Sequence, residues 1–424
     1  AETLLALGRV EAMLGDTTAA LAAFGEAAET APGRGRGLLE RARLELARAT
    51  DSAGVATYYS VAALDDSAAI AGLRRDLGWI ATAAELETFD RASGAGRAEF
   101  LHQFWTRRDR ADLRQTGVRL REHYRRLAAA TALFPNLDDQ RVAVFVRHGE
   151  PDNRAALRAS GVAANESWRY RRVDGDLVVH FLAGADTTNY RIVESLFDIV
   201  PADPGMPAGD DRAGTEGTLA ELALRSRAQL SPFYQAAVAG RGEQLEAFKA
   251  RDREIGAAGK NLALSTDRFP LRFRQSLPAT VQIAALTATR EGGAVQILFT
   301  IPPFRPDSPV AEGGPPAGDS LPSRLRVRMV IWDSAARAVL AVDSVVPLVA
   351  RPDGGRRGHL SASLAPGWYS SQAALELGDR GAIVGRDDIR VGAPAGDVAL
   401  SELAIGSVGS DLRWSLDGGA PIVA

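Results

Sequence analysis

Over residues 2–32 the apolar positions recur at helical spacing. Leu4, Leu7, Gly8, Ala20, Phe24 and Ala27 lay out two amphipathic helices around a Gly15-Asp16 turn, and Pro32 stops the second. Gly8 and Ala20 are small enough for the paired helices to approach closely, with Phe24 and Ala27 filling the seam. One period of 34 residues later, Leu38, Gly54, Tyr58 and Val61 stand where Leu4, Ala20, Phe24 and Ala27 stood, and Asp66 replaces Pro32. Helical spacing continues through Leu73, Leu77, Ile80, Leu86, Phe89, Phe100, Phe104 and Trp105, and Thr82 with Glu85 makes a capping-box signature. A strongly basic helix is expected over residues 113–133, ending at Phe134-Pro135-Asn136.

The pattern then changes. The apolar run at 142–146 breaks at His148-Gly149-Glu150-Pro151-Asp152 and predicts a short strand; 167–171, 177–182 and 190–197 predict three more. Helices followed by a small antiparallel sheet make an α+β unit. Residues 201–217 read as a linker by composition, and helices return over 218–257. From there, seven short apolar runs at 281–288, 294–301, 325–332, 339–346, 360–364, 369–377 and 383–391 predict a β-sandwich of immunoglobulin-like architecture, with a long Pro/Gly loop at 302–322. The expected fold class is multi-domain α+β. Its parts are α-helical repeats over 1–66, an α+β middle domain over 67–200, linker and bridging helices over 201–262, and the sandwich over 263–424.

Composition narrows the chemistry. The 424 residues are 46% apolar and 24% charged, an ordinary globular balance on a chain too long for one core. Fifty basic and 53 acidic residues leave a net charge of −3, which gives nucleic-acid binding no electrostatic support. The absence of cysteine excludes disulfides, thiolate metal sites, iron–sulfur clusters and cysteine nucleophiles. No apolar run reaches 18 residues, so no transmembrane segment is expected. The chain begins at Ala1, as either processing or a trimmed start would give, and removal of a signal peptide is the expected form of processing.

Two resemblances follow from these residues. The 34-residue spacing over residues 1–66 resembles tetratricopeptide repeats. Residues from about 78 to 200 resemble the GWxTD-domain family, bacterial proteins of unknown biochemical function. The resemblance rests on Gly78-Trp79-Ile80-Ala81-Thr82, Glu85, Phe89, Arg97-Ala98-Glu99-Phe100, Phe104-Trp105-Thr106-Arg107-Arg108-Asp109, His123-Tyr124-Arg125-Arg126, the 141–146 run with Gly149-Glu150-Pro151-Asp152, and Trp168, Tyr170, Phe181 and Tyr190. The name-giving string is replaced by Phe134-Pro135-Asn136-Leu137-Asp138, which keeps only the final acid, while Ala399-Leu400-Ser401-Glu402-Leu403 resembles the family's late strand. The resemblance implies an envelope location and no particular reaction.

Candidate chemistry is sparse. His102, His123, His148, His180 and His359 include no i, i+4 pair and no HExxH, so they are expected as packed or surface histidines and no metal site is expected. Gly406-Ser407-Val408-Gly409-Ser410 departs from a nucleophile elbow. Gly33-Arg34-Gly35-Arg36-Gly37 lacks the Lys-Ser/Thr of a P-loop and reads as an inter-repeat turn. No catalytic residue and no cofactor are therefore assigned. Asp138, Glu150 and Asp152 flank the 142–146 run and keep open an acid–base pair beside the commoner turn roles. Arg107, Arg108, Arg110, Arg114, Arg119, Arg121, Arg125 and Arg126 crowd residues 107–126; part of the set is expected to tie down Asp109, Asp112 and Glu122, the rest to face an acidic partner or lipid headgroups. Most tryptophans are expected in the core, with Trp368 in Pro366-Gly367-Trp368-Tyr369 as an exposed anchor. The partner-binding candidates are Arg107, Arg108, Arg110, Arg114, Arg121, Arg125, Trp368 and Tyr369. The expected function is a non-enzymatic periplasmic scaffold with protein partners, as an extrinsic subunit on a bacterial membrane complex. A respiratory or photosynthetic assembly is one expected host. The alternatives are an enzyme using Asp138, Glu150 and Asp152, or a periplasmic peptide or glycan binder.

Overall fold

A computed structural model of the chain describes residues 1–48, 53–172, 175–184, 188–200, 218–239, 245–269, 271, 273–289, 292–303, 323–335, 337–351 and 354–392, with short strands at 412–413 and 422–423. The architecture is mixed α+β: helices over about residues 1–148, then sheets, with three further helices between Leu219 and Ser265. Two units form: Ala1–Arg108 with Thr116–Phe269, and Asp109–Gln115 with Pro270–Ala424. Among the described residues, no helix is long and apolar enough to cross a membrane.

The first unit opens with two helix pairs. Helices α1 (Glu2–Leu14) and α2 (Thr17–Glu29) are separated by Gly15, whose φ of 90° suits glycine, and by Asp16, which accepts the Ala19 N–H at 2.9 Å. A Cβ at Gly8 would lie 2.5 Å from the Phe24 ring, so glycine is what lets that ring fill the seam. In α3 (Arg34–Arg48) and α4 (Ala53–Ala62), Tyr58 and Val61 are buried as Phe24 and Ala27 are. The Gly33–Gly37 string was expected as a turn. Only Ala31–Gly33 is a 3-10 turn, and Arg34 already begins α3. Gly35 abuts the Asp66 side chain and Gly37 the α2 backbone, so the glycines serve helix packing.

Helix α5 (Ser67–Gly78) is capped by Asp66, and α6 (Ala83–Arg91) by the Thr82–Glu85 capping box. Helices α7 (Gly94–Ala111), α8 (Val118–Leu133) and α9 (Gln140–His148) follow. Two expectations are corrected here. The basic helix starts at Val118 rather than 113, because Gly117 at φ 85° interrupts the backbone and residues 109–115 belong to the second unit. The 142–146 run is helix, not strand. Val142, Val144, Phe145 and Val146 are all buried, so burial on more than one side of the helix blurs the period that separates the two. Its ends decide the matter: Asp139 accepts the Arg141 N–H at 2.8 Å, and Gly149 turns the chain at φ 79°.

The sheet of this unit is antiparallel in the order β1 (Asn153–Ala155), β2 (Asn165–Tyr170), β3 (Leu177–Ala183), β4 (Tyr190–Val193). The expected strand at 190–197 ends early, at a 3-10 turn over Leu196–Ile199. Strand alternation gives the sheet two buried faces. Trp168, Tyr170, Leu177, Val179 and Phe181 join the cluster that includes Leu39, Trp105 and Phe145. Val178 and Val193 face a second cluster with residues of α10 (Leu219–Arg227) and α11 (Pro232–Ala239). Helix α12 (Leu245–Ser265) closes against β3 and β4 through glycines: a Cβ at Gly259 would lie 2.7 Å from the Val178 carbonyl, and one at Gly256 would strike the Glu194 carbonyl.

In the second unit all seven expected runs are strands. After β5 (Gln275–Ser276) come β6 (Thr280–Thr289), β7 (Gly292–Ile301), β8 (Arg324–Asp333), β9 (Ala338–Pro347), β10 (Val349–Ala350), β11 (Arg356–Leu364), β12 (Gly367–Leu377) and β13 (Arg380–Val391). They form two sheets, ordered β10-β11-β7-β6 and β5-β13-β12-β8-β9. Ile297 and Phe299 from one and Val327, Met329 and Leu375 from the other meet in one buried cluster. The linker at 201–217, residues 304–322 of the long loop, the 399–403 strand and Trp414 lie outside the described residues.

Replacing a mid-helix glycine by alanine ordinarily gains up to about 1 kcal/mol. Gly256→Ala should instead cost about 1–3 kcal/mol, because its methyl group meets the Glu194 carbonyl. Urea denaturation should show a lowered midpoint; a raised one would mean that α12 does not pack this way.

Candidate functional site

The arginine set is divided between the units: Arg107, Arg108, Arg121 and Arg125 in the first, Arg110 and Arg114 in the second. Arg108 lies over Phe104 at 3.6 Å and holds Glu85 through two bonds of 3.1 and 3.2 Å, with Asp267 at 3.3 Å. Arg107 is exposed, 3.8 Å from Glu85. Fully buried Arg119 pairs with Asp267 at 3.0 Å, and Arg126 joins Glu122 at 2.8 Å and the Arg147 carbonyl at 2.7 Å. Glu122 was expected as a partner; Glu85 and Asp267, far off in sequence, were not. Arg114 and Arg121 are partly buried and engaged, whereas Arg110 and Arg125 are exposed.

The candidate carboxylates are not brought together. Asp138 is exposed before α9, and Glu150 and Asp152 follow its other end. Nine residues at about 1.5 Å each hold the ends about 13 Å apart. Glu150 is 81% exposed, and Asp152 accepts the Arg171 N–H at 2.8 Å as a turn residue. Trp368 is 57% exposed beneath Arg390, but Tyr369 is 7% exposed, its hydroxyl donating to the Ala365 carbonyl at 2.6 Å. A free contact role for Tyr369 therefore gives way to an internal one.

The densest polar arrangement is one that motif reading passed over. Ser167 and His180 are directly opposed on β2 and β3. Arg227 Nε donates to Ser167 Oγ at 3.0 Å, and Ser167 Oγ lies 2.7 Å from His180 Nδ1. His180 Nε2 lies 2.7 Å from the Tyr234 hydroxyl, which donates to Asp252 Oδ1 at 2.7 Å. Asp252 Oδ2 accepts from Ser195 Oγ at 2.5 Å and from the Leu196 N–H at 2.8 Å. Arg227 Nη2 also donates to Asn165 at 2.6 Å. Donors align in one sense from Arg227 to Asp252 when His180 is neutral and protonated on Nε2. Ser167, Arg227 and Asp252 are 0% exposed and His180 and Tyr234 1%, so the serine–histidine pair is sealed from substrate. The legible signal was a lone histidine in the apolar run of β3.

Electrostatics follow burial. Desolvation, then the Arg227 charge, pull the His180 imidazole down to about 3. Desolvation takes Arg227 down to about 10. Asp252 is raised by desolvation against the bonds from Ser195 and Tyr234, and Tyr234 is raised by desolvation and the Asp252 charge.

Beside this chain a cavity of about 400 Å³ opens at edge strand β1, lined by Arg154, Leu157, Arg158, Asn165, Glu166 and Tyr190 with small alanines between them. Asn165 builds its floor: the amide bonds both backbone groups of Leu157, at 3.0 and 2.9 Å, and the Ala163 carbonyl at 2.8 Å. Among the described residues, no His, Asp and Glu groups are placed to hold a metal ion. Comparison with protein-family models and with curated proteins finds no match for the chain.

The buried histidines make stability fall in acid. His180, at about 3, and His148, lowered by desolvation to about 4, lie below the value of 6.5 expected in the unfolded chain, and desolvation takes His123 well below it too. The fold thus binds fewer protons than the unfolded chain. This contribution is complete above about pH 6.5 and is lost as pH falls toward 3, on the order of a few kcal/mol per fully buried ring. Asp252, shifted upward, opposes it. Urea midpoints should drop steadily from pH 7 to 4; a flat profile would contradict neutral burial. Tyr234→Phe should cost about 1–3 kcal/mol at pH 7 by leaving His180 and Asp252 without their bridge; unchanged thermal and urea midpoints would show the relay to be dispensable.

Proposed function

We propose that the protein is a non-enzymatic extracytoplasmic interaction protein that docks as an extrinsic subunit on a bacterial membrane complex. The observation that carries this reading is the outward face of α1, where Leu7, Val10, Met13 and Leu14 are 47%, 51%, 87% and 76% exposed. The 34-residue spacing supports this at one position. Val10 corresponds to Leu44 of α3, which is buried in one cluster with Ala20, Phe24 and Ala27 of α2. At Val10 the α1 face is therefore suited to pack against a further helix, whereas the counterparts of Leu7 and Leu14, Arg41 and Arg48, are exposed; we read the apolar α1 face as the docking surface.

The finer assignments belong to the same proposal. The repeat spacing, the Gly8–Phe24 seam and the approach of Gly54 to Glu45 and Leu46 support tetratricopeptide-like pairs. The Tyr369 hydroxyl on the Ala365 carbonyl is the kind of corner that immunoglobulin-like sandwiches carry. Residues bearing the GWxTD-domain resemblance, among them Trp105, Tyr124, Trp168, Tyr170 and Phe181, share one buried cluster, which supports a common middle fold and with it an envelope location.

The test is affinity recovery from detergent-solubilised membranes, comparing the native sequence with a Val10→Glu, Met13→Glu double variant. Both positions are exposed, so the circular dichroism melt should be unchanged while recovery of the membrane complex falls at least tenfold. A native chain that emerges alone and monomeric, or a double variant that retains its partners, would overturn the reading.

A further inference from the structure

The cavity at β1 is independent of the α1 face, and its polar lining is one-sided. Glu166, its carboxylate, is hydrogen-bonded through one oxygen by Arg141 Nη1 at 3.3 Å, with Arg154 3.7 Å from the other. Arg141 is further held by Asp139 at 2.7 Å and stacks on the Tyr190 ring at 3.5 Å. Arg154 meets acids only at 3.7 Å from Glu166 and 3.8 Å from Glu150, too far for hydrogen bonds. Among the described residues, Arg158 has no ion-pair partner, and the Tyr190 hydroxyl makes no hydrogen bond, although its ring carries Arg141. The amide of Asn165 is spent on Leu157, Ala163 and Arg227. What the lining leaves open is thus mainly donor: the Arg158 guanidinium, an Arg154 guanidinium held only by longer contacts, and the Tyr190 hydroxyl, set over alanine and leucine side chains.

We propose that this cavity binds a small organic carboxylate. Arg158, with Arg154, takes the carboxylate oxygens, Tyr190 donates to one of them, and a body of a few carbons lies against Ala155, Leu157 and Ala164. The guanidinium fork matches a planar carboxylate in a way that a lysine ammonium does not. A volume of about 400 Å³ suits a small ligand rather than a macromolecular surface. Glu166, fixed between two arginines, sets a limit on ligand charge: one carboxylate restores neutrality around Arg158, and a second would face Glu166.

The experiment is calorimetric and NMR titration of the full chain at low ionic strength with hexanoate, hexanamide and inorganic phosphate as probes. Hexanoate should bind saturably, at least tenfold more tightly than either of the others. Arg158→Gln should weaken hexanoate at least tenfold, and Arg158→Lys should weaken it less. Arg158 is exposed, so both variants should melt as the native chain does. Tyr190→Phe should lose a few-fold. Equal binding of acid and amide, tighter binding of phosphate, an unaffected Arg158→Gln variant, or no saturable shift up to roughly 10 mM hexanoate would each overturn the assignment.

Discussion

The hydrogen-bond chain from Arg227 to Asp252 is the constraint around which the first unit is arranged. A guanidinium and a carboxylate are both removed from water, at a cost that a direct ion pair often fails to offset. Here they are not direct partners. Ser167, His180 and Tyr234 stand between them, each accepting one bond and passing on another, so every link is polarised in the same sense. Together the links bind strands β2 and β3 to helices α10, α11 and α12 and to the turn at Ser195.

That arrangement also specifies register. Ser167 sits opposite His180, with Trp168 opposite Val179 one step further. Slipping β3 by one residue would send the histidine to the face occupied by Trp168, and slipping β2 would send an indole into the polar chain. Apolar burial alone would discriminate weakly, because both faces of this sheet are covered. The polar chain therefore selects one pairing among several that hydrophobicity tolerates. The cavity at β1 inherits its shape from the same source, since Asn165 holds both the Leu157 backbone and Arg227.

A second polar centre unites the helices. Arg43 grips Asp76 through two bonds of 2.8 Å, Tyr124 donates to the same carboxylate at 3.0 Å, and His123 lies 3.1 Å from the Asp76 carbonyl. Arg108 and Arg119 converge on Asp267 in the same manner. Arginine carries nearly all the positive charge of this chain, and its planar fork explains why much of it is internal. A residue run that looks like a basic surface is in good part a set of clamps reaching across the fold.

Local rules determined a great deal. The Gly15-Asp16 turn, the Thr82–Glu85 capping box and seven of the strands of the second unit were legible because each depends on neighbours within a few residues or on a short period. Where burial is two-sided the period vanishes, so 142–146 could not be separated from a strand without its caps. Partnerships were hidden for a different reason. Arg108 with Asp267, Ser167 with His180, and Tyr234 with Asp252 are joined by the path of the backbone, and nothing in sequence spacing encodes a contact across 159, 13 or 18 positions. Most of what is helix, strand and core came from local and periodic chemistry. Which polar groups meet, and therefore where a cavity with unsatisfied donors opens, was decided only when distant segments were brought within hydrogen-bonding distance.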